Sequence, residues 1–307
     1  MTMGRNTYEA WIPEEDSSEV IQRVDQMSAV ESLASPEPMS SNTKSIPRSA
    51  GVGVSVVDKG GAYSEDTSTN DDIVLTAKKL GKAIRIAEED IDDSLANILT
   101  TKQKDWATSY AKLLDNATLA VSAAVGTGVP FESVYYTLTQ ANAGLGYTAN
   151  DNITVAGSAG PSYDDLSAVL GKAEGGDYFD LSRMVVIAHP SFRATLRAVK
   201  DLQGQPIFVQ GQQGDRGTPD TLFDLPVRWS LGCRISATAT DAPSGKPILV
   251  VANADFLRLG RRSGPESIFI DGRDGLSALT DESILKMRAR RAFALGHPKA
   301  AAVLVGI

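Results

Sequence analysis

One cysteine and two histidines are all that this 307-residue sequence holds of the residues that most often form disulfides or zinc sites. Cys233 has no internal disulfide partner, so packing and hydrogen bonds alone must hold the chain together, and a reducing compartment fits. With His189 and His297 it falls short of the three or four ligands that zinc takes. Aromatic residues are scarce at 6%, and no apolar run approaches the ~18 residues needed to cross a bilayer. The acidic start, with no apolar stretch behind a basic one, predicts neither a membrane protein nor a Sec-type signal. Glycine-rich stretches at 126–128, 211–217 and 244–247 lack the GxxxxGKS and GxGxxG spacings that cradle phosphates. Each histidine precedes a proline, and no GxSxG elbow accompanies either, so both read as structural. The paired Asp164 and Asp165 read as a helix start rather than an acid–base pair, because adjacent helical residues point in different directions. No catalytic, cofactor-binding or metal-ligating residue is assigned, and no enzyme is expected.

What is present is a globular composition: 42% hydrophobic residues, 22% charged and 27 glycines, enough chain for one or two domains. The net charge of −8 is unevenly spread. Residues 1–100 hold 9 basic against 18 acidic side chains, whereas 246–307 hold 10 basic against 6 acidic. Three readings stand for the basic end: a solvated face, a surface that meets the acidic end of a neighbouring subunit, and a nucleic-acid patch. The isoelectric point near 4.9 disfavours the last.

Along the chain, residues 1–50 carry Trp11 but few other large apolar groups, and read as an arm ordered only by lying on something else. Val52, Val54 and Val56 alternate with small polar residues, pass a turn at 58–61, and return through Ile73, Leu75 and Ala77, which predicts a long β-hairpin. Such a hairpin is marginal alone and needs a partner surface. From Glu88 the apolar period lengthens through Ile91, Leu95, Ile98, Trp106, Tyr110, Leu114 and Val121, predicting one continuous helix of about 50 Å. Its acidic first turns suit the helix dipole better than a metal. Helices follow at 164–172 and 191–200, strands at 184–188, 227–230, 248–252 and 268–270, and a loop at 203–217. Leu285, Met287 and Ala289 alternate with Lys286, Arg288 and Arg290, a strand with cations on one side.

The order of these features resembles the tailed-bacteriophage major capsid proteins of the Hong Kong 97 fold, over about nine tenths of the chain. Tyr63-Ser64-Glu65 lies in the hairpin, where that family tends to have an aromatic, an acidic and a small residue; 80–86 and 88–94 resemble the entry to its spine helix, and 126–134 the Gly-rich exit. The run from Val185 to Ser191, then 196–205 with Lys200-Asp201-Leu202-Gln203-Gly204, looks like its strand, helix and turn. Thr221-Leu222-Phe223-Asp224-Leu225-Pro226-Val227, Ala252-Asn253-Ala254-Asp255-Phe256 and 287–303 are similar to later segments. Asp224 stands where the family usually has glycine.

The resemblance implies an α+β fold with an N-terminal arm (1–44), an extended hairpin loop (45–86), a peripheral domain with the spine helix (87–135 and 256–307) and an axial α/β domain (136–255). It implies a major capsid protein that self-assembles as pentamers and hexamers into an icosahedral shell around double-stranded phage DNA, without sequence-specific binding. Partners would be further copies, a portal, and possibly separate scaffold and decoration proteins, since the family's fused scaffolding segment is missing. The place would be the virion capsid, assembled in the host bacterial cytoplasm. The alternatives are an encapsulin-type nanocompartment shell and, further off, a soluble enzyme with an unrecognised site. Some members weld subunits through a hairpin lysine and a late asparagine. Lys59 matches the lysine, but no asparagine follows Asn253, so no cross-link is expected.

Overall fold

The protein is described from a computed structural model over residues 22–49, 51, 53–65, 71–94, 97–158, 160–199, 221–271 and 281–307. The chain enters through α1 (Ala29–Leu33), β1 (Ser35–Pro38), β2 (Thr43–Arg48), β3 (Asp71–Thr76) and β4 (Lys78–Ala87). Then come α2 (Glu88–Asp92), α3 (Ile98–Leu119), α4 (Val134–Thr139), β5 (Ile153–Val155) and α5 (Tyr163–Glu174). The remainder comprises β6 (Met184–Ala188), α6 (Phe192–Ala198), β7 (Thr221–Leu222), β8 (Leu225–Trp229), β9 (Ile248–Asn253), β10 (Leu257–Ile270), β11 (Glu282–Leu295) and β12 (Ala301–Val305).

Two sheets organise these elements. The first runs β1-β10-β11-β4, with the two 14-residue strands β10 and β11 antiparallel at its centre. On β11, Leu285, Met287 and Ala289 are buried while Lys286, Arg288 and Arg290 stand on the other face, as the alternation predicted. The second sheet runs β5-β12-β9-β6-β8-β7. Helices α5 and α6 pack on one face through Leu166, Leu170, Phe192 and Leu196; the other face joins the core that Leu114, Leu119, Val134 and Leu138 build with the first sheet. Covered on both sides, β6 and β9 read as unbroken apolar runs.

Four expectations change. The single helix from Glu88 is two helices, because Asp92, Asp93 and Ser94 favour local hydrogen bonds over the helical ladder and Asn97 caps a new start on the Thr100 N–H. The 22-residue α3 spans about 33 Å rather than 50 Å. The hairpin strands lie at 43–48 and 71–76; no strand runs through Val54 and Val56, and Val52 is outside the described residues. Part of the expected arm packs on its own chain: Ala29, Val30 and Ala34 are in the main core, and β1 pairs in parallel with β10. Removing residues 1–44 would therefore remove core. Finally, β12 lies between β5 and β9, so the segment 256–307 does not stay within the first sheet. Trp11, Leu95, the 200–204 turn motif and the 203–217 loop lie outside the described residues.

The turn holding Asp224 is kept without glycine. Phe223 and Asp224 take φ of 49° and 64° between the paired Leu222 and Leu225, a two-residue hairpin turn in which aspartate tolerates the left-handed region. Gly232, by contrast, is needed. A Cβ there would lie 2.6 Å from the Lys112 carbonyl oxygen and 2.8 Å from the Asn116 nitrogen, so its loop lies directly on the backbone of α3.

Candidate assembly surface

The hairpin is anchored at its base and free at its tip. At the base, Leu75 is fully buried with Met39, Ala77 and Ala292, against which Ile46 and Ala294 pack. Arg48 pairs with Asp71 across the strands and donates from Nη1 to the Gly296 carbonyl at 2.9 Å. That guanidinium holds the Asp71 carboxyl below its ordinary range. Ser45 adds a 2.6 Å bond to Asp72. Beyond Arg48 the chain extends away from these contacts. Gly60, at φ 85°, helps reverse it through a Gly61 N–H to Asp58 carbonyl bond of 2.8 Å. Val54 and Val56 are 98% and 99% exposed and Tyr63 is 88% exposed. Two valines and a tyrosine in water on one segment form an apolar surface that none of the described residues covers.

Lys59 sits exposed at that tip. Asn253 is no counterpart for it, being buried with Nδ2 donating to the Tyr178 carbonyl and Oδ1 accepting from the Asp255 N–H, both at 3.0 Å.

A buried polar node that composition and motifs did not reveal ties α1, α3 and the segment after β8 together. Asp115, on α3, is fully enclosed and accepts four hydrogen bonds: Ser28 Oγ at 2.5 Å, Ala29 N–H at 3.0 Å, Val30 N–H at 3.2 Å and Ser230 Oγ at 2.5 Å. Both hydroxyls accept backbone N–H groups themselves, from Glu31 and Gly232, which turns their protons toward the carboxylate. Burial raises the Asp115 carboxyl while these donors pull it down. A second tie is Arg291, buried on β11, which donates to Glu31 Oε1 at 2.6 and 3.1 Å and to the Ser263 carbonyl at 2.5 Å. The signal for Asp115 lay in its position: a lone acid on the apolar stripe of Ala111, Leu114 and Ala117 must find donors or lose stability. Arg291 carried the same kind of signal, since the alternation of Leu285, Met287 and Ala289 places it on the buried face of its strand.

The two histidines are structural in their contacts. Arg234 Nε donates to His189 Nε2 at 3.2 Å, while Nδ1 faces the Ser191 N–H at 3.1 Å and Ser191 Oγ at 2.8 Å. His297 accepts from the Lys299 N–H at 3.1 Å and stacks on Tyr178 with ring centroids 4.0 Å apart. Burial first, then the neighbouring cations, lower both to about 4 from the ordinary 6.5. A histidine neutral in the fold but free to protonate when unfolded stabilises above about pH 6.5, and that contribution is lost as pH falls toward 4. The urea midpoint of the isolated subunit is accordingly expected to drop across that window. The drop should be shallower in the His189→Gln, His297→Gln double variant; equal slopes would show that other groups govern acid unfolding.

Cys233 is buried and free, its thiol pushed up by burial. Among the described residues, no three His, Cys, Asp or Glu side chains converge as a metal site, and no helix is long and apolar enough to cross a membrane.

The Phage capsid family model matches residues 9–306. No curated protein matches the sequence. Among solved structures, a chain from Mycobacterium phage Bobi is similar at TM-score 0.74 and 18% identity, covering 96% of each chain. The capsid of a native GTA particle is similar at TM-score 0.73 and 17% identity, over 98% of this chain and 99% of that one. Mycobacterium phage Ogopogo gives TM-score 0.72 at 16% identity, over 98% of both. At such identities the likeness carries the fold, and it is the α+β capsid fold expected from the sequence. Of the two shell readings, the family model favours the phage capsid over the nanocompartment. With an anchored hairpin, an uncovered apolar tip and a family match across nearly the whole length, this chain belongs to the phage capsid family, as a structural shell protein and not an enzyme.

Proposed function

We propose that this shell subunit gathers into pentamers and hexamers that close an icosahedral container around double-stranded DNA. The observation that carries the assembly reading is the hairpin, whose base is locked to β11 while Val54, Val56 and Tyr63 stand in water. In a shell these side chains lie over a neighbouring copy, and burying them there repays the ordering of the tip. Heterologous contacts of this kind close only when the rotation between copies is right.

Within the subunit, the second sheet would form the axial domain around the capsomer axis, extended by β12 beyond the 136–255 expected. The first sheet with α3 would form the periphery. The portal, a separate scaffold and decoration proteins are the remaining partners in this reading, with assembly in the bacterial cytoplasm. A net charge of −8 suits a container that encloses DNA without holding it sequence-specifically. Light scattering with negative-stain microscopy of the purified chain tests the proposal. Rings of five or six, or closed polyhedra, are the expected result. A strictly monomeric species, even with the neighbouring phage genes coexpressed, would overturn it.

A further inference from the structure

The first sheet has a charged face that the described residues leave uncovered. Register places Lys79 beside Arg290, Gly81 beside Arg288, Ala83 beside Lys286 and Arg85 beside Ile284, all on the side opposite buried Leu285, Met287 and Ala289. On the next strand, Glu266 and Ile268 lie beside Arg288 and Lys286, and Ile270 beside Ile284. Arg262 joins this face by sharing Asn42 Oδ1 with Arg290, at 3.1 and 3.2 Å. Six cations thus meet two carboxylates: Arg288 pairs with Glu266 at 2.5 Å and Arg85 with Glu282 at 3.1 Å. Among the described residues, Lys79 and Lys286 have no acidic partner, and Arg262 and Arg290 meet only the neutral Asn42. Between the cations the floor is apolar, with Ala83, Ile268, Ile270 and Ile284.

The complementary charge lies at the tip of the same sheet. Helix α2 follows β4 directly and is tied there by the Glu88 N–H to the Asp281 carbonyl at 3.0 Å. Glu89, Asp90, Asp92 and Asp93 are exposed around half-buried Ile91, and none forms an ion pair among the described residues. The acidic tip is fixed at the end of the sheet, and its carboxylates do not reach the cations behind it.

We propose that the cationic face of β4, β10 and β11 docks the acidic α2 of a second copy, so that neighbouring subunits join tip to face. Opposite charges sit on different parts of one rigid sheet, so they are satisfied between copies, in a heterologous contact. The apolar floor favours a protein partner over a polyanion: an isoleucine floor gains from covering by Ile91, whereas nucleic-acid backbones are held by cations and polar groups. This rests on the shell reading above and names one of its contacts.

The test is a charge exchange in the full-length chain: Lys79→Glu with Lys286→Glu, Glu89→Lys with Asp90→Lys, and all four together. Thermal melting of the dissociated subunits checks folding, and sedimentation gives the concentration at which shells appear. Each pair alone is expected to raise that concentration about tenfold or more, by setting like charges together, and the fourfold variant to return it to within about threefold of wild type. In wild type the threshold should also rise with salt from about 50 to 500 mM, a reading that needs no variant. A fourfold variant no better than its parents, or a threshold flat in salt, overturns the contact while leaving the shell reading intact. Loss of DNA content with assembly unchanged overturns it in favour of a polyanion site. Wild-type protein that never assembles overturns both.

Discussion

Replacing Asp115 by alanine should cost the isolated subunit on the order of 3–5 kcal/mol, enough to lower its urea midpoint severely or prevent folding at 37 °C. Four donors converge on this carboxylate inside the core: two hydroxyls and two N–H groups. Each buried donor left unmade loses about 1–3 kcal/mol, partly recovered by relaxation or an entering water. The effect is large because the node joins three separate elements: the donors Ser28, Ala29 and Val30 at the start of α1, the acceptor Asp115 on α3, and the donor Ser230 just past β8. Losing the acceptor releases the entering chain and the loop after β8 together. Asparagine should rescue little, since its amide nitrogen would face two donors. Equilibrium urea unfolding at neutral pH measures this; a loss below about 1 kcal/mol for the alanine variant would show that the node is dispensable.

The second large effect falls on assembly and spares the fold. Val54→Asp with Val56→Asp should abolish shells while leaving the monomer's melting temperature within about 1–2 °C of wild type. At 98% and 99% exposure these valines contribute no burial within the subunit, so charging them removes nothing from it. In a shell the same positions would place two carboxylates in an apolar contact, at a cost that rises with each of the many copies. Sedimentation of the assembly reaction beside a melting curve separates the two outcomes. Shells at wild-type yield would show that the tip makes no essential contact. A melting temperature depressed by many degrees would show that the valines belong to the subunit's own core.

Strands β6, β8 and β9 and helices α5 and α6 were legible in the sequence, whereas β5, β7 and β12 were not; β6 and β9 are covered on both faces, and continuous runs such as Met184–Ala188 and Ile248–Asn253 admit few other readings. The cation-bearing strand was equally plain, from strict alternation between Leu285 and Arg290. What failed did so for physical reasons. The hairpin was placed on Val52, Val54 and Val56 by β-propensity, yet propensity expresses packing against a neighbour, and Val54 and Val56 stand almost fully exposed. The helix was run through Asp92 to Asn97 because apolar spacing continues across residues whose side chains compete with the backbone. The arm was judged unable to hold itself because only a few small apolar groups, Ala29, Val30 and Ala34, fasten it, and their weight comes from a carboxylate 86 residues away from Ala29. Of the assembly surface, the need of the hairpin for a partner and the polarised charge were visible in the sequence; the four donors that meet Asp115 were not, since they come from segments far apart in the chain.

The position of β12 also constrains the order in which the protein can be made. It lies between β9 and β5, and among the described residues β5 hydrogen-bonds to no other strand of the sheet. On the ribosome, helices α3 and α5 and strands β6 and β9 can all emerge while the place between β5 and β9 stays open, so the second sheet completes only after residues 301–305 are synthesised. An interrupted chain would carry the hairpin but lack the strand that unites its second sheet.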